Sequence, residues 1–426
     1  MPASVLIAQS GGPSPVINST LRGIIDGCRA YPGTFGHLYA GWHGIEGVLK
    51  EELLDLTAQD ADEIELLRTT PAAGAVGTCR YRLHDERPED LERVVKVLRA
   101  HDIGYFFYIG GNDSMGTTER VSRVARERRL DLVAVGAPKT IDNDLGDAEF
   151  KLVDHTPGYG STARYLAQTV LNANEENAGS CPADPVLVIQ AMGRRTGFIP
   201  AAARLADPRR EMPLQIYLAE SEIALEEIGE NVLGCLGRFG RCIVIASEGL
   251  NVGPLGEIKD AFGHTSFGSS QQSVAQTVTN YLNSLRFPVS GKARCQIPGT
   301  EQRSAAIYAS TVDIEEAYQV GIKAARIAKD DGNGWMATIR RQSGDDYRAI
   351  YDKVWLEQVA RAERTFPKDW IDRNRSDVTD GFVRYARPLI GHEWPCIPLV
   401  DGLQRFARLK PIFAEKKCKE YRPQAR

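Results

Sequence analysis

Five short apolar runs constrain the fold of this chain more than any other feature of its sequence. They lie at residues 5–8, 105–109, 132–135, 186–189 and 242–246, and each leads into glycine or polar residues. Helical patterns occur between and after them, at residues 17–25, 89–99, 158–177, 269–285 and 313–329. Uninterrupted apolar strands are typical of parallel sheets buried on both faces. Their alternation with helices predicts a doubly wound α/β fold with ligands at the carboxyl ends of the strands.

The length of 426 residues predicts two or three domains. We expect two doubly wound, Rossmann-like lobes, residues 1–145 and 146–310, with the active site in the cleft between them. Some segments are expected to be interleaved between the lobes. Residues 311–426 are expected to form a helical C-terminal extension. After residue 330 no chemical motif can be identified, so structural cover or oligomer contacts are the default interpretation there.

Composition and charge exclude several classes of function. Hydrophobic residues make up 42% of the chain and charged residues 25%, which is ordinary for a globular protein, and the net charge is −4. This composition gives no basic surface for nucleic acid and no polybasic patch for a membrane. The N-terminus does not resemble a signal peptide, no apolar stretch of 18 residues follows, and the eight cysteines are scattered. We expect a cytoplasmic enzyme with reduced thiols.

The segment LVAVGAPKTIDNDL, residues 132–145, carries the strongest candidate site. Its apolar start predicts a buried strand that Gly136 and Pro138 end. A cation, a hydroxyl, an amide and two carboxylates follow at the strand tip, namely Lys139, Thr140, Asn143, Asp142 and Asp144. A solvated loop with an aspartate as helix N-cap would explain any one of these acids. The presence of a lysine among them favours a chemical site.

Glycines at the tips of the first two strands suggest places for an anion. Gly11 and Gly12 stand between a strand and a helix, where backbone N–H groups can bind phosphate, although a plain tight turn explains two glycines equally well. Arg80 lies in a loop of small residues and is either solvated or available to phosphate oxygens. Asn112 and Asp113 follow the second strand. They are either helix N-caps or oxygen ligands for magnesium.

The second half of the chain offers donors suited to an anionic, hydroxylated ligand. The fourth strand leads into Met192, Gly193 and Arg194, and the fifth leads into Glu248. A further segment, residues 294–306, is rich in side-chain donors, which include Arg294, Thr300, Glu301, Gln302 and Arg303.

Six segments taken together resemble the phosphofructokinase family. They are Gly11-Gly12, GGNDS from residue 110, PKTIDND from residue 138, MGR from residue 192, SEG from residue 247 and EQR from residue 301. None would suffice alone, but their order and spacing are similar to the family's over about residues 4–330. The chain looks most like the pyrophosphate-dependent branch. The resemblance implies that residues 1–145 bind the phosphoryl donor and residues 146–310 bind the sugar phosphate.

The resemblance also implies a role for each candidate residue. Asp142 would be the general base, with Lys139 and Arg194 also catalytic. Pyrophosphate would be bound by Gly11, Arg80 and Asp113. Fructose 6-phosphate would be bound by Asp142 and by Thr140, Asp144, Met192, Gly193, Arg194, Glu248, Arg294, Thr300, Glu301, Gln302 and Arg303. The cofactor would be Mg²⁺, at Asn112 and Asp113. A homodimer or homotetramer is expected, since the matching arginine at Arg294 reaches a neighbouring subunit in bacterial relatives.

Two positions favour pyrophosphate over ATP as the donor. ATP-using relatives have glycine where this chain has Asp113 and Lys139. A carboxylate at the first position would repel a nucleotide's inner phosphate, and a lysine at the second can neutralise charge on the transferring group. In other places the chain departs from the family: Asn112 replaces an aspartate, Thr300 a histidine or tyrosine, and Pro185 an arginine of some bacterial relatives.

Three alternatives stay open on the sequence alone. The first is an ATP-dependent 6-phosphofructokinase. The second keeps pyrophosphate but prefers a longer acceptor such as sedoheptulose 7-phosphate. The third is a sugar-phosphate sensor without turnover, against which Asp142 and Lys139 argue, because binding alone does not need a base at a reacting hydroxyl.

Overall fold

The computed structural model describes residues 2–72, 74–255, 272–344, 346–360 and 362–423, and its core is two β-sheets covered by helices. The strands are β1 (Ala3–Gln9), β2 (Phe35–Gly41), β3 (Leu53–Asp55), β4 (Ile103–Gly110), β5 (Val133–Pro138), β6 (Val186–Ala191), β7 (Leu214–Tyr217), β8 (Cys242–Ser247), β9 (Ala293–Gln296), β10 (Trp335–Arg341), β11 (Ala349–Trp355), β12 (Leu399–Val400) and β13 (Leu403–Gln404).

Twelve α-helices are found in the described ranges. They are α1 (Ile17–Arg29), α2 (Ile45–Lys50), α3 (Ala61–Glu65), α4 (Pro88–Ala100), α5 (Asn112–Glu127), α6 (Tyr159–Ser180), α7 (Phe198–Ala201), α8 (Leu225–Phe239), α9 (Val274–Ser284), α10 (Thr311–Asp330), α11 (Leu356–Val359) and α12 (Asp380–Ala386). None of them combines the length and the apolar character that crossing a bilayer requires. Part of the helix predicted at 269–285 lies outside the described residues, and α9 covers most of the rest.

The first sheet has the strand order β11-β10-β5-β4-β1-β2-β3, with a parallel centre and antiparallel strands at its two edges. Successive side chains of a strand point to opposite faces. In β1, Val5 and Ile7 accordingly pack with α1 and α10, whereas Leu6 and Ala8 pack with α2 and α4. The chain passes from β1 to β2 on one side, and β4 lies on the other. This reversal of strand order is where open α/β sheets bind ligands.

The second sheet has the order β7-β8-β6-β9, and all its strands are parallel. Leu187 and Ile189 of β6 pack with α6, α7 and α12, and Val186 and Val188 pack with α8 and α9. Both sheets therefore have helices on both faces. The α/β class with two doubly wound lobes, predicted from the sequence, is confirmed.

The third predicted strand is longer than expected. Both Gly136 and Pro138 were predicted to end it, but Gly136 lies inside β5 and only Pro138 marks its end. Gly136 is needed because Met115 packs against it: a Cβ atom there would lie 2.5 Å from Met115 Sδ. Pro138 is the last residue of the strand, paired with Gly110, where the missing N–H disturbs the ladder least.

Much of the expected C-terminal extension completes the first lobe. β10 pairs with β5, and β11 forms the edge of the same sheet. The backbones of α10 and α1 are in contact where the two helices cross, because glycines lie at the crossing point. A Cβ atom on Gly23 would lie 2.0 Å from the Tyr318 carbonyl oxygen, and a Cβ atom on Gly321 would lie 2.3 Å from the Thr20 carbonyl oxygen. Helix α10 and strands β10 and β11 are therefore part of the first lobe. The sequence concealed this because the partners are distant along the chain.

Candidate active site

The glycine turn after β1 forms the floor of the candidate site. Gly11 has a left-handed backbone with φ of 78°, which an L-residue with a Cβ adopts only with strain. Its N–H donates to the Cys79 carbonyl oxygen at 2.8 Å, and its own carbonyl accepts from the Thr78 hydroxyl at 3.0 Å. The turn is thereby joined to the loop that carries Arg80.

Three cationic side chains converge on this turn. Lys139 Nζ donates to the Gly12 carbonyl oxygen at 2.5 Å. A Cβ atom on Gly12 would lie 2.7 Å from Arg303 Nη1 and 3.9 Å from Arg80 Nη2. Burial, and next the charge of Arg303, lower the pKa of Lys139 to about 8. This concentration of positive charge beside a glycine turn is suited to a polyanion such as an inorganic phosphate group.

Three carboxylates lie next to the cations. Burial raises the pKa of Asp142, and the nearby charge of Glu248 adds to the effect, while Arg194 and Lys139 oppose it. Burial and the charge of Asp142 likewise raise the pKa of Asp144, although Thr140 donates a hydrogen bond to it. Asp142 and Asp144 therefore lie close enough to titrate as a pair. A base whose pKa is shifted towards neutrality is suited to accept a proton from an alcohol.

The second lobe contributes a loop held by two buried side chains. Glu248 Oε1 accepts from the Gly193 and Arg194 N–H groups, both at 3.2 Å. Gln302 Oε1 accepts from the Met192 N–H at 2.9 Å and is 2% exposed. These contacts fix the backbone that aims Arg194 at the carboxylates, so Gln302 positions this loop through its side chain.

Gly249 allows this loop to pack closely against the end of β8. A Cβ atom on Gly249 would lie 1.6 Å from the Arg194 carbonyl oxygen. No side chain larger than hydrogen can be accommodated without moving the backbone of Arg194. The predicted SEG segment therefore combines an acid that holds the loop with a glycine that lets it approach.

Three predicted substrate residues lie away from this cluster within the chain. Arg294 forms ion pairs with Glu176 and, at 3.4 Å, with Asp184. It lines a cavity of about 550 Å³ together with Glu301, which accepts a hydrogen bond from Tyr165 at 3.3 Å. Thr300 is exposed. The structure therefore brings together two sets of the predicted residues, one around Asp142 and one on the outer side of α6 and β9.

The predicted magnesium ligands behave differently from each other. The side chain of Asp113 is 61% exposed and forms an ion pair with Arg82. Asn112 Oδ1 is buried and has no hydrogen-bond partner among the described residues. Within these same ranges, no group of three or more His, Cys, Asp or Glu side chains is arranged to hold a metal. Asn112 is therefore suited to bind a metal ion directly, or to accept a hydrogen bond from a water molecule bound to the metal. The carboxylate of Asp113 is already paired with Arg82.

Sequence reasoning missed Thr196, and it named Asn143 at the strand tip without giving it a role. Thr196 donates its hydroxyl to the Asp142 carbonyl oxygen at 3.0 Å and so ties the two lobes together. Asn143, between the two acidic residues, is fully buried with a left-handed backbone of φ 57°. A clue to Asn143 was available, since asparagine tolerates this conformation better than most residues. For Thr196 the sequence carried no signal.

Known proteins provide an independent comparison. The family model described as Phosphofructokinase matches residues 4–328. A pyrophosphate–fructose 6-phosphate 1-phosphotransferase from Halomonas elongata is 35% identical over 426 residues, covering 97% of this chain and 98% of the relative. One from Methylococcus capsulatus is 36% identical, covering 96% of each chain. The crystal structure of a pyrophosphate-dependent phosphofructokinase from Marinobacter aquaeolei has 35% identity and a TM-score of 0.88, covering 99% of this chain and 100% of that one.

Proposed function

The chain belongs to the phosphofructokinase family, and we propose that it transfers a phosphoryl group reversibly from pyrophosphate to the 1-hydroxyl of fructose 6-phosphate. The products are fructose 1,6-bisphosphate and phosphate. The observation that carries the proposal is the meeting of Lys139, Arg80 and Arg303 at the Gly12 turn beside the half-buried Asp142. A cytoplasmic location, expected from the sequence, is part of the same proposal.

The donor side of the site suits pyrophosphate. Its two phosphates can be neutralised by the positive charges of Lys139, Arg80 and Arg303. Asp113, at the first turn of α5, puts a carboxylate and its partner Arg82 where a glycine would leave space. Binding a longer polyphosphate there would require breaking this ion pair and bringing phosphate against a carboxylate.

In the forward reaction Asp142 accepts the proton of the sugar's 1-hydroxyl. The resulting oxygen nucleophile forms a bond to one phosphorus of pyrophosphate as the bridging P–O bond breaks, and phosphate leaves. Lys139 and Arg303 stabilise the negative charge on the transferring group, since phosphoryl transfer depends mainly on positioning and electrostatic stabilisation. In the reverse direction protonated Asp142 returns the proton to the sugar oxygen.

The acceptor is held from the second lobe. We assign the sugar to the loop of Met192, Gly193 and Arg194, which Glu248 holds in place. Arg294 lies outside this group, so we propose that in an oligomer it serves the 6-phosphate of a neighbouring subunit's site, together with the surface at Thr300 and Glu301. This assignment agrees with the half-exposed position of Arg294.

Magnesium is part of the proposal as the cofactor. When bound, it would supply positive charge that offsets the negative charge of the transferring phosphoryl group. Asn112 would hold it directly or through water, since its Oδ1 has no hydrogen-bond partner among the described residues, whereas Asp113 stays paired with Arg82.

The test is a comparison of donors with the purified protein, magnesium and fructose 6-phosphate. Product formation is coupled to NADH oxidation through aldolase and glycerol-phosphate dehydrogenase. We expect turnover with pyrophosphate to exceed turnover with ATP at least tenfold. Preference for ATP, or equal rates with both donors, would contradict the donor assignment.

The matched variant is Asp142→Asn, which keeps the size of the side chain and removes its basicity. Its turnover is expected to fall by roughly 10²-fold or more, the typical contribution of a general base. Fructose 6-phosphate should still protect the variant against thermal unfolding. A variant with near-normal turnover would remove Asp142 from the proposed role.

A further inference from the structure

Asn143 holds an unusual backbone conformation at a critical position. It stands between Asp142 and Asp144, is fully buried, and has φ of 57°. A residue with a Cβ enters this region at a cost in energy and remains there only when its surroundings hold it. The direction of both acidic side chains depends on this one residue, because it sets the course of the backbone between them.

Two hydrogen bonds hold the side chain of Asn143 in place, and one of them is with Tyr385, in the last third of the chain. Asn143 Nδ2 donates to the Tyr385 hydroxyl at 2.8 Å, and Asn143 Oδ1 accepts from the Thr156 N–H at 3.2 Å. The Tyr385 hydroxyl in turn donates to the Asp154 carbonyl oxygen at 2.8 Å. The Tyr385 hydroxyl therefore accepts one hydrogen bond from Asn143 and donates another to Asp154.

Arg364 holds the same segment from a second direction. It is fully buried, and its backbone N–H donates to the Asp144 carbonyl oxygen at 2.7 Å. Its guanidinium donates to the carbonyl oxygens of Asp147, at 2.9 Å, and of Asp154, at 2.8 Å. Both Arg364 and Tyr385 come from the part of the chain in which the sequence offered no chemical motif.

We propose that Arg364 and Tyr385 are positioning residues that form a brace behind the acidic loop, residues 140–156, and so direct Asp142 towards the reacting hydroxyl. The proposal rests on the function proposed above for Asp142. The contacts of the brace that carry the proposal are all with the acidic loop. The brace acts through Asn143 and through the backbone of Asp144.

A purely structural role for Tyr385 is the competing explanation. Its ring packs against Phe150 and Trp370, with centroids 5.2 and 4.9 Å away. These ring contacts need only an aromatic ring, and phenylalanine would preserve them. The two hydrogen bonds of the hydroxyl serve the acidic loop alone. Removing the hydroxyl therefore separates packing from positioning.

The test is Tyr385→Phe in the full-length enzyme, assayed with pyrophosphate, fructose 6-phosphate and magnesium. We expect kcat to fall roughly tenfold, since small displacements of a catalytic group have effects of this order or larger. The KM for pyrophosphate should change less than twofold, because Lys139 and the Gly12 turn do not contact the brace. The acid limb of the pH profile should move to lower pH as the loop carboxylates gain water. The charged groups that face Asp142 are Glu248, Arg194, Lys139 and Arg303, which remain in place, and Asp144, which belongs to the same loop.

Two further variants make the test decisive. Tyr217→Phe is the control, because Tyr217 is also fully buried and its hydroxyl donates to Gln215 in β7, away from the loop. It should lose some thermal stability and keep its kcat and pH profile. Asn143→Gly permits the left-handed backbone without the amide. Besides the link to Tyr385, this variant loses the hydrogen bond from the Thr156 N–H, so its loss in kcat should be at least as large as that of Tyr385→Phe. The double variant should lose less than the two single losses combined, because the link between Asn143 and Tyr385 can be removed only once.

The outcomes separate the brace from the function it serves. Unchanged kcat in Tyr385→Phe, an equal loss in Tyr217→Phe, or independent additive losses in the double variant would each overturn the brace. The wild-type enzyme's use of pyrophosphate and the Asp142→Asn variant report on the proposed function separately. A wild type active with pyrophosphate beside an unaffected Tyr385→Phe would therefore reject the brace alone.

Discussion

Burial acts in opposite directions on Lys139 and on the acids beside it. An apolar environment disfavours the charged form of any group, so it lowers the pKa of a lysine and raises that of an aspartate. The pKa of Lys139 moves down from 10.5 to about 8, and that of Asp142 moves up from 3.8. Both shifts move the pKa of the group towards neutral pH. Burial therefore allows Asp142 to act as a base while Lys139 stays positively charged near pH 7.

These shifts predict a bell-shaped pH profile of kcat/KM with pyrophosphate, which reports on groups of the free enzyme. The acid limb should lie well above pH 4, because Asp142 must be deprotonated, and it belongs to the coupled pair with Asp144. The alkaline limb should lie near pH 8, where Lys139 loses its proton. Initial rates from pH 5 to pH 10 at constant ionic strength measure both limbs.

Lys139→Arg provides the control for the alkaline limb. Arginine stays protonated across this range, so the limb should disappear or move above pH 10 even though the larger side chain lowers the maximal rate. An alkaline limb that remains near pH 8 in Lys139→Arg would assign it to another group.

At the scale of single elements, the sequence predicted the strands and site residues that a local pattern of residues determines. Apolar runs located the five central strands, and the residues after them located Lys139, Asp142 and Glu248 at the strand ends. The runs did not reveal β10, which ends in two arginines, or the edge strand β11, because partly polar strands lack an uninterrupted apolar pattern. The ends of β5 were also misjudged, since Gly136 is there for Met115 and not for a turn.

The end of β8 offers a prediction about one glycine. In Gly249→Ala the new Cβ would meet the Arg194 carbonyl oxygen, so the loop of Met192 to Arg194 must shift away from Glu248. We expect destabilisation of about 1–3 kcal/mol, as for other overpacked sites. The KM for fructose 6-phosphate should rise roughly tenfold, because the hydrogen bonds that hold the loop weaken. Thermal unfolding and steady-state kinetics measure the two effects.

Gly234→Ala is the matched control. Gly234 lies in α8 and is exposed, and a Cβ atom added to it would have no heavy atom within 4 Å. Alanine in a helix interior should stabilise the protein by up to about 1 kcal/mol and leave both KM values unchanged. If Gly249→Ala bound fructose 6-phosphate as well as Gly234→Ala does, the close approach would not matter for the acceptor site.

On the scale of the whole molecule, distant segments complete the site. The contacts between Arg364 and the acidic loop span more than 200 positions, and Thr196 meets Asp142 across 54. No local pattern encodes such pairs, so the sequence could suggest which residues do the chemistry but not which residues hold them. The C-terminal third of the chain supplies α10, two strands of the first sheet and the brace.

A buried charge network joins the acidic loop to α10. His155 is 1% exposed, and its ring nitrogens lie 2.8 Å from Asp154 Oδ2 and 2.7 Å from Glu316 Oε2. Arg341 adds an ion pair to Asp154 at 3.0 Å. Burial disfavours a charged imidazole, but the charges and hydrogen bonds of Glu316 and Asp154 outweigh it and raise the pKa of His155 to about 9. The link between the loop and α10 therefore depends on a protonated histidine.

This network predicts how the stability of the whole molecule depends on pH. Because the folded pKa of His155 lies above its ordinary value of 6.5, its contribution is complete below pH 6.5 and is lost as pH rises through about 9. The contribution is at most about 3 kcal/mol, or roughly 5 °C in Tm for a chain of this size. We expect His155→Gln to unfold at a lower temperature than wild type at pH 6.5, and we expect this difference in Tm to disappear towards pH 9.5.

His392→Gln is the control, because His392 is an exposed histidine, and its Tm should equal that of wild type at every pH. A gap for His155→Gln that stays constant with pH would show that the histidine stabilises the protein by packing and not by its charge.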